Sequence, residues 1–411
     1  MTFKITANTQ NINVSIKLPS SKSISNRALI INALNYSPYP LRNLSDSDDT
    51  KVLLEALFSN NSKFDIGHAG TAMRFLTAFL SKIVGSWEVT GSERMQQRPI
   101  SVLVDALREL GAKIEYIKNE GFPPLRIQGS HLTGKTLELD GSISSQYITA
   151  LLLIAPTLEN GLTLRLTGEI TSKSYIELTL GLMAKFGIQY KWDQNEIFVP
   201  EQTYLPIDFT VEADWSGASY WYEILALCNS GEIILENLEL NSLQGDAGIA
   251  DWFVPFGIKS TQQKGGVLLS KGSGAKPLML KQDFIENPDV AQTMACLCVA
   301  SSIPFHFSGL KTLKIKETNR IAALQTELAK FGAEIKEPVE GELSWDGKIN
   351  AESVIEVPSI ETYHDHRMAL AFAPMALAGK PVIINDPMVI TKSYPGFWSD
   401  LKNAGFLIEE S

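Results

Sequence analysis

The chain opens on an alternation of apolar and polar positions, MTFKITANTQNINVSIKL, which predicts a β-strand. From there one pattern recurs. A helix with an apolar face ends at a glycine and runs into an alternating segment: ALRELGAKIEY, GLMAKFGIQYKW, WFVPFGIKS, ELAKFGAEIKE and LKNAGFLIEE. Their glycines, Gly111, Gly187, Gly257, Gly332 and Gly405, lie 76, 70, 75 and 73 residues apart. Each is placed to form the left-handed cap after a last helical turn, with a strand to follow.

A second pattern precedes each of these: a short polar cluster that opens an apolar helix. Its six copies are SSKSISNRALIINAL, GHAGTAMRFLTAFL, GSISSQYITALLLIA, ADWSGASYWYEILAL, ENPDVAQTMACLCVA and TYHDHRMALAFAPMAL. From the second copy on they start every 72 to 76 residues. The repeating unit reads as helix–strand–loop–helix–hairpin, and six units predict two pseudo-symmetric halves of three, dividing near Asp214. The first unit is shorter and lacks its hairpin.

Length agrees with two domains, since 411 residues exceed one comfortable core. A net charge of −10 argues against a nucleic-acid binder with a broad basic face, and basic and aromatic residues are not interleaved. It leaves room for a small cationic cleft, because local charge is what captures a small anion. Cys228, Cys296 and Cys298 lie in apolar runs with no zinc spacing and read as core residues. The start lacks a basic-then-apolar signal segment, and ITALLLIAP and MALAFAPMALAG are too short to span a bilayer. A soluble cytoplasmic protein is the expectation.

Charged and hydroxyl residues gather at the start of each unit's first helix and in the loop or helix start before its second; free N–H groups and the helix dipole at such starts favour an anion. The cations there are Lys22, Arg27, Arg74, Arg98, Lys173, Lys316, Arg320, Arg367 and Lys392. Singly, each reads as a solvated surface charge; recurrence at equivalent positions raises the anion-site reading. In KIKETNRIAALQTEL, Lys316 and Arg320 are four apart and predict one helix face, with Glu317 in an acidic first turn near both. Asp289, in ENPDVAQT, reads equally well as a helix N-cap and as a chemical carboxylate. His364 and His366 in TYHDHRMAL have no further ligands at metal spacing, so a metal site is not expected. Ser144, Ser145 and Gln146 offer neutral donors for oxygen ligands, and the aromatic run SYWYEI reads as core. Neither GxxxxGK[ST] nor GxGxxG occurs.

Taken in order, SSKSISNRAL, GHAGTAMR, RPI, DGSISSQY, SKSYI, NPDVA, KETNR, YHDHRMA and DPMVITKSYPGF closely resemble the 5-enolpyruvylshikimate-3-phosphate synthase family, from about Leu18 to Phe397. The resemblance implies an α/β fold, a two-domain inverse α/β barrel of six repeated units, three per domain. Residues 1–18 and 214–411 would form one discontinuous domain and 19–213 the inserted one. The site would lie in the cleft between them, with domain closure expelling water.

Carried over by motif, the resemblance implies that shikimate 3-phosphate is held by Lys22, Ser23, Arg27, Ser144, Ser145, Gln146, Ser172, Asp289, Thr312 and Lys316. It assigns phosphoenolpyruvate to Lys22, His68, Gly70, Arg98, Gln146, Arg320, Arg367 and Lys392. It makes Asp289 the base for the attacking hydroxyl, Glu317 the group handling the methylene proton, and Lys22 an aid to either. No cofactor or metal is implied, the partners are the two small molecules rather than nucleic acid or membrane, and a monomer is expected.

Two positions depart from the family pattern: His68 stands where Asn is frequent, and Thr312 where some members have Asn. Gly70 leaves room that an alanine would fill, the condition for binding the inhibitor glyphosate, with Phe75 nearby. The UDP-N-acetylglucosamine enolpyruvyl transferases share the plan, but they carry a loop cysteine and an Asn after the first lysine. Here Ser23 follows Lys22, and GSERMQQRPI has no cysteine. A catalytically silent scaffold of the same fold would be signalled by loss of Lys22, Asp289 or Glu317, and all three are present.

Overall fold

A computed structural model describes residues 1–142, 144–274 and 276–410. The chain forms two compact units, Met1–Pro19 with Glu212–Ser411, and Ser20–Val211.

In the discontinuous unit, the alternating N-terminal stretch is two strands rather than one. Thr9 Oγ1 accepts the Asn11 N–H at 3.1 Å, and this turn sends Thr2–Ala7 and Asn11–Lys17 to different sheets. Thr2–Ala7 lies antiparallel between Val382–Asn385 and Phe406–Glu410, with Phe3 opposite Glu410. Asn11–Lys17 runs parallel to Ser230–Glu236 at the edge of a sheet completed by Gly266–Lys271 and Ile258–Gln263. A third sheet holds Leu280–Asp283, Phe305–Ser308 and Leu343–Trp345.

The helices inside this unit explain the long apolar runs. Trp215–Leu227 is buried at every position but Ser216 and Leu227, Ala291–Ala300 at every position but the last, and His366–Phe372 throughout. Helices buried all round need no amphipathic stripe. The three thiols and Tyr220, Trp221 and Tyr222 are buried among them as core.

The continuous unit repeats the scheme. Gly70–Lys82 and Ser145–Ile154 are buried on nearly all sides, and Lys22–Leu34 over Ile24–Ile31. One sheet orders Lys63–Asp65, Ser86–Thr90, Leu125–Gln128 and Lys113–Tyr116. The other orders Thr136–Asp140, Leu162–Thr167, Glu196–Val199 and Lys191–Asp193. Among the described residues, all five sheets of the chain share one pairing pattern: a parallel pair at one edge, then antiparallel neighbours.

Each of the five repeat glycines has positive φ: 104°, 86°, 80°, 82° and 97° along the chain. The strands expected after them form less uniformly. Beyond Gly187 the strand waits until Lys191, because the Gln202 side-chain amide takes both the N–H and the carbonyl of Gln189 at 2.9 Å. Beyond Gly332 only isolated bridges form, at Ala333 and Lys336, and Pro338, with no N–H, ends the pairing.

Candidate active site

In the continuous unit the polar clusters do open helices. Ser21 caps Lys22–Leu34, its Oγ accepting the Ile24 N–H at 3.4 Å, which puts Lys22 and Ser23 in the first turn. Ser144 caps Ser145–Ile154 by accepting the Gln146 N–H. Ser172 stands at the N-cap of Lys173–Lys185 with φ 53°, a left-handed conformation that a serine holds only under local constraint.

One buried arginine ties these starts together. Arg27 donates from Nε to Thr179 Oγ1 at 2.8 Å and from Nη1 to the Ser23 carbonyl at 2.8 Å. Its Nη2 reaches Thr149 Oγ1 and the Tyr175 carbonyl, and its guanidinium lies 5.7 Å from the centre of the Phe75 ring. It therefore touches the first two turns of the helices opening at Lys22, Gly70, Ser145 and Lys173. Burial pulls its pKa down to about 10. Most of its donors are engaged inside the protein, so the geometry makes it a tie among helix starts before it is anything else.

Gly70, the first residue of its helix, lies against Arg98: a Cβ built there would fall 2.7 Å from Arg98 Nη1. Arg74 props this corner. Its Nη1 donates to the Gly70 carbonyl at 3.2 Å and its Nη2 to the Pro99 carbonyl at 3.2 Å. Burial first, then the charge of Arg98, lowers its pKa to about 10. Arg74, one of the cations counted from sequence, thus spends its head group on backbone. His68 Nδ1 lies 3.0 Å from Ser92 Oγ, close to the same corner.

The discontinuous unit holds a denser cluster. Arg320, buried at 2% exposure, donates from Nε to Asp365 Oδ2 at 2.6 Å and from Nη1 to Asp289 Oδ1 at 2.9 Å. Its Nη2 reaches Glu317 Oε2 at 2.9 Å and Asp365 Oδ1 at 3.3 Å. Arg367 donates from Nη2 to Asp289 Oδ2 at 2.9 Å and from Nη1 to the Asp289 carbonyl and the Tyr220 hydroxyl. Lys392 Nζ is 2.6 Å from Glu317 Oε1, and Lys316 Nζ 3.6 Å from Asp289 Oδ1. Asp365 also accepts the Arg367 N–H at 3.0 Å as the cap of His366–Phe372. Asp246 sits beside them, accepting from Ser216 and Asn287.

Charge sets the protonation states. Burial alone would push the Asp289 carboxyl up, but Arg367, Lys316 and Arg320 outweigh it and hold the group well below its ordinary range. Burial would likewise lower Arg320, yet Asp365, Glu317 and Asp289 raise it instead. Asp246 is raised, chiefly by burial.

Residues 6–59 and 57–401 match the family model described as EPSP synthase (3-phosphoshikimate 1-carboxyvinyltransferase). The chain belongs to the EPSP synthase family. A 3-phosphoshikimate 1-carboxyvinyltransferase of Bacteroides fragilis (strain YCH46) is 52% identical over 410 residues, covering 100% of this chain and 99% of that relative. One from Aliivibrio fischeri (strain ATCC 700601 / ES114) is 38% identical over 420 residues, covering 95% and 96%. In fold, the chain is similar to the EPSP synthase of Acinetobacter baumannii, with a TM-score of 0.81 at 20% identity over the whole of both chains.

Two of the positions expected from the sequence differ in the structure. Asp289 is not a helix cap: it lies inside the 3-10 turn Pro288–Val290, and its carboxylate is committed to cations. Lys316 and Arg320 do not share a helix face, nor is Glu317 in a first helical turn. Asn319 caps Arg320–Ala329, its Oδ1 accepting the Ala322 N–H at 3.2 Å, so the helix starts only at Arg320. Lys316 and Arg320 still converge, on Asp289 Oδ1. Lys392 ends the 3-10 turn Pro387–Lys392, in the loop before Phe397–Asn403.

The Thr312 Oγ1 is buried without a hydrogen-bond partner among the described residues. His364 is exposed and pairs with Asp386, while His366 is buried, so the two rings do not converge on one ion. Sequence reasoning gave no role to Asp365 or Asp246 and read Tyr220 only as core. The only signal for Asp365 was its place one residue before a helix start.

Proposed function

We propose that the chain transfers the enolpyruvyl group of phosphoenolpyruvate to the 5-hydroxyl of shikimate 3-phosphate, releasing inorganic phosphate, within chorismate and aromatic amino-acid biosynthesis. The observation that carries this reading is the family match from residue 6 to 401, joined to cation clusters at helix starts in both units. We read the fold as six related units, three per domain; the pairing pattern common to five sheets supports this. We read residues 1–18 with 214–411 as one domain and 19–213 as the other; the division into Met1–Pro19 with Glu212–Ser411 and Ser20–Val211 supports this.

In this reading Lys22, Ser23, Ser144, Ser145, Gln146 and Ser172 hold the acceptor, with Arg27 fixing the helix starts that carry them. Asp289, Lys316 and Thr312 complete that site. Arg98, Arg320, Arg367, Lys392, Lys22 and Gln146 grip the donor, and Gly70 with His68 shapes its pocket. A proton adds to the donor's methylene carbon as the acceptor's 5-hydroxyl, deprotonated by Asp289, attacks the second carbon. The tetrahedral adduct then loses a methyl proton and inorganic phosphate, restoring the double bond. Glu317 handles the methylene proton and Lys22 assists either transfer. The arginines and lysines stabilise charge as it moves between carboxylate and phosphate. The enzyme acts as a cytoplasmic monomer and recruits no metal or organic cofactor.

Phosphate release with phosphoenolpyruvate and either shikimate 3-phosphate or UDP-N-acetylglucosamine tests this. Release is expected only with the first acceptor, falling at least about a hundredfold in Glu317→Gln and Lys22→Met. Release only with the second overturns the acceptor. Silence with both, from folded protein, overturns the activity.

A further inference from the structure

The donor half of the proposed site is already full of anions, and they are its own. Arg320 has five N–H groups; Asp365 takes two, and Asp289 and Glu317 one each. At most one is left, so Arg320 cannot hold an incoming carboxylate or phosphate in bidentate fashion without letting a carboxylate go. Arg367 spends both Nη atoms on Asp289 and Tyr220, and Lys392 closes on Glu317 at 2.6 Å.

The three carboxylates are not equally tied. Asp365 is 0% exposed, makes two bonds to Arg320 and caps a helix through the Arg367 N–H. Tyr363 and His364 before it are both left-handed, held by the Tyr363 hydroxyl on Glu327 and by His364 beside Asp386. Asp289 and Glu317 are 15% and 19% exposed, and neither stands at a helix N-cap position among the described residues.

Resting on the proposed function, we propose that donor binding here is an exchange of anions. The donor's carboxylate and phosphate displace Asp289 and Glu317 from Arg320, Arg367 and Lys392, while Asp365 stays as the fixed counter-ion. Each cation trades one anionic partner for another, so the exchange strands no buried cation. It also frees the two carboxylates that the chemistry uses, and only once the donor is bound: away from the arginines, Asp289 regains proton affinity and becomes a competent base. A ligand with two anionic groups replaces both carboxylates, whereas a monoanion replaces one.

The test is calorimetric binding of phosphoenolpyruvate to the full chain without acceptor, with acetate as the monoanionic probe. Glu317→Gln and Asp289→Asn are expected to bind phosphoenolpyruvate at least about threefold more tightly than the parent, as removal of a competing ion pair predicts. Both lose turnover, and the gain for acetate is smaller. Equal or weaker binding in both variants overturns the exchange. Glu317→Gln decides alone if Asp289→Asn does not fold, because Glu317 is the more exposed. Lys392→Met and Arg367→Lys separate the two levels of the argument. If they weaken binding while the carboxylate variants do not tighten it, the half-site stands and the exchange falls. If they leave binding unchanged, the donor half-site itself is wrong.

Discussion

Glu223 lies fully buried on Trp215–Leu227, and neither carboxylate oxygen has a hydrogen-bond partner among the described residues. Burial pushes its carboxyl well above 4.5, which favours the neutral acid in the folded protein. A carboxyl raised on folding contributes stability that is full below its unfolded value, near 4.5, and is lost as pH rises toward the folded one. Glu223→Gln removes the titration with little change in shape. It is therefore expected to melt above the parent at pH 8, with the gap closing toward pH 4, in thermal scans followed by circular dichroism. No gap, or one that grows on acidification, would show Glu223 to be ionised and paired. Residue types alone do not reveal such a state. Sequence could count the cations at helix starts, but not that Arg74 spends itself on two carbonyls while Arg98 lies against Gly70. That division depends on packing between segments distant in the chain.

Asn319 shows what one cap does for an element. By accepting the Ala322 N–H it fixes the start of Arg320–Ala329, and so the base from which the Arg320 guanidinium reaches Asp289, Glu317 and Asp365. Asn319→Ala is expected to cost about 1 kcal/mol of stability. It should also raise the KM for phosphoenolpyruvate more than that for shikimate 3-phosphate. Steady-state kinetics beside a urea melt would reveal a purely structural role if both constants moved alike. Helix ends marked by glycine were legible, because positive φ is a local demand, and it is met at Gly111, Gly187, Gly257, Gly332 and Gly405. Helix starts were legible at Ser21, Ser144 and Asp214, where a short side chain precedes the apolar run. The segment before Asn319 was misread because a four-residue spacing suits a helix equally well on either side of a cap. The strand after Gly332 failed because Pro338, with no N–H, stops a ladder that has only isolated bridges at Ala333 and Lys336.

At the scale of the molecule, Ser20–Val211 is one uninterrupted stretch with its own sheets and buried helices. Expressed alone, residues 20–211 are expected to melt in a single cooperative transition. Residues 212–410 alone are expected not to, since they lack the strand Thr2–Ala7 that bonds to both Val382–Asn385 and Phe406–Glu410. A cooperative melt from the second fragment would contradict this. That placement has a meaning for synthesis. On the ribosome, Thr2–Ala7 is made long before either neighbour, and the whole of Ser20–Val211 can fold in the meantime. Until Phe406–Glu410 emerges, the strand is an unpaired edge, open to chaperones and to the wrong partner. Made before both of its neighbours, it is fully housed only when the later of them arrives.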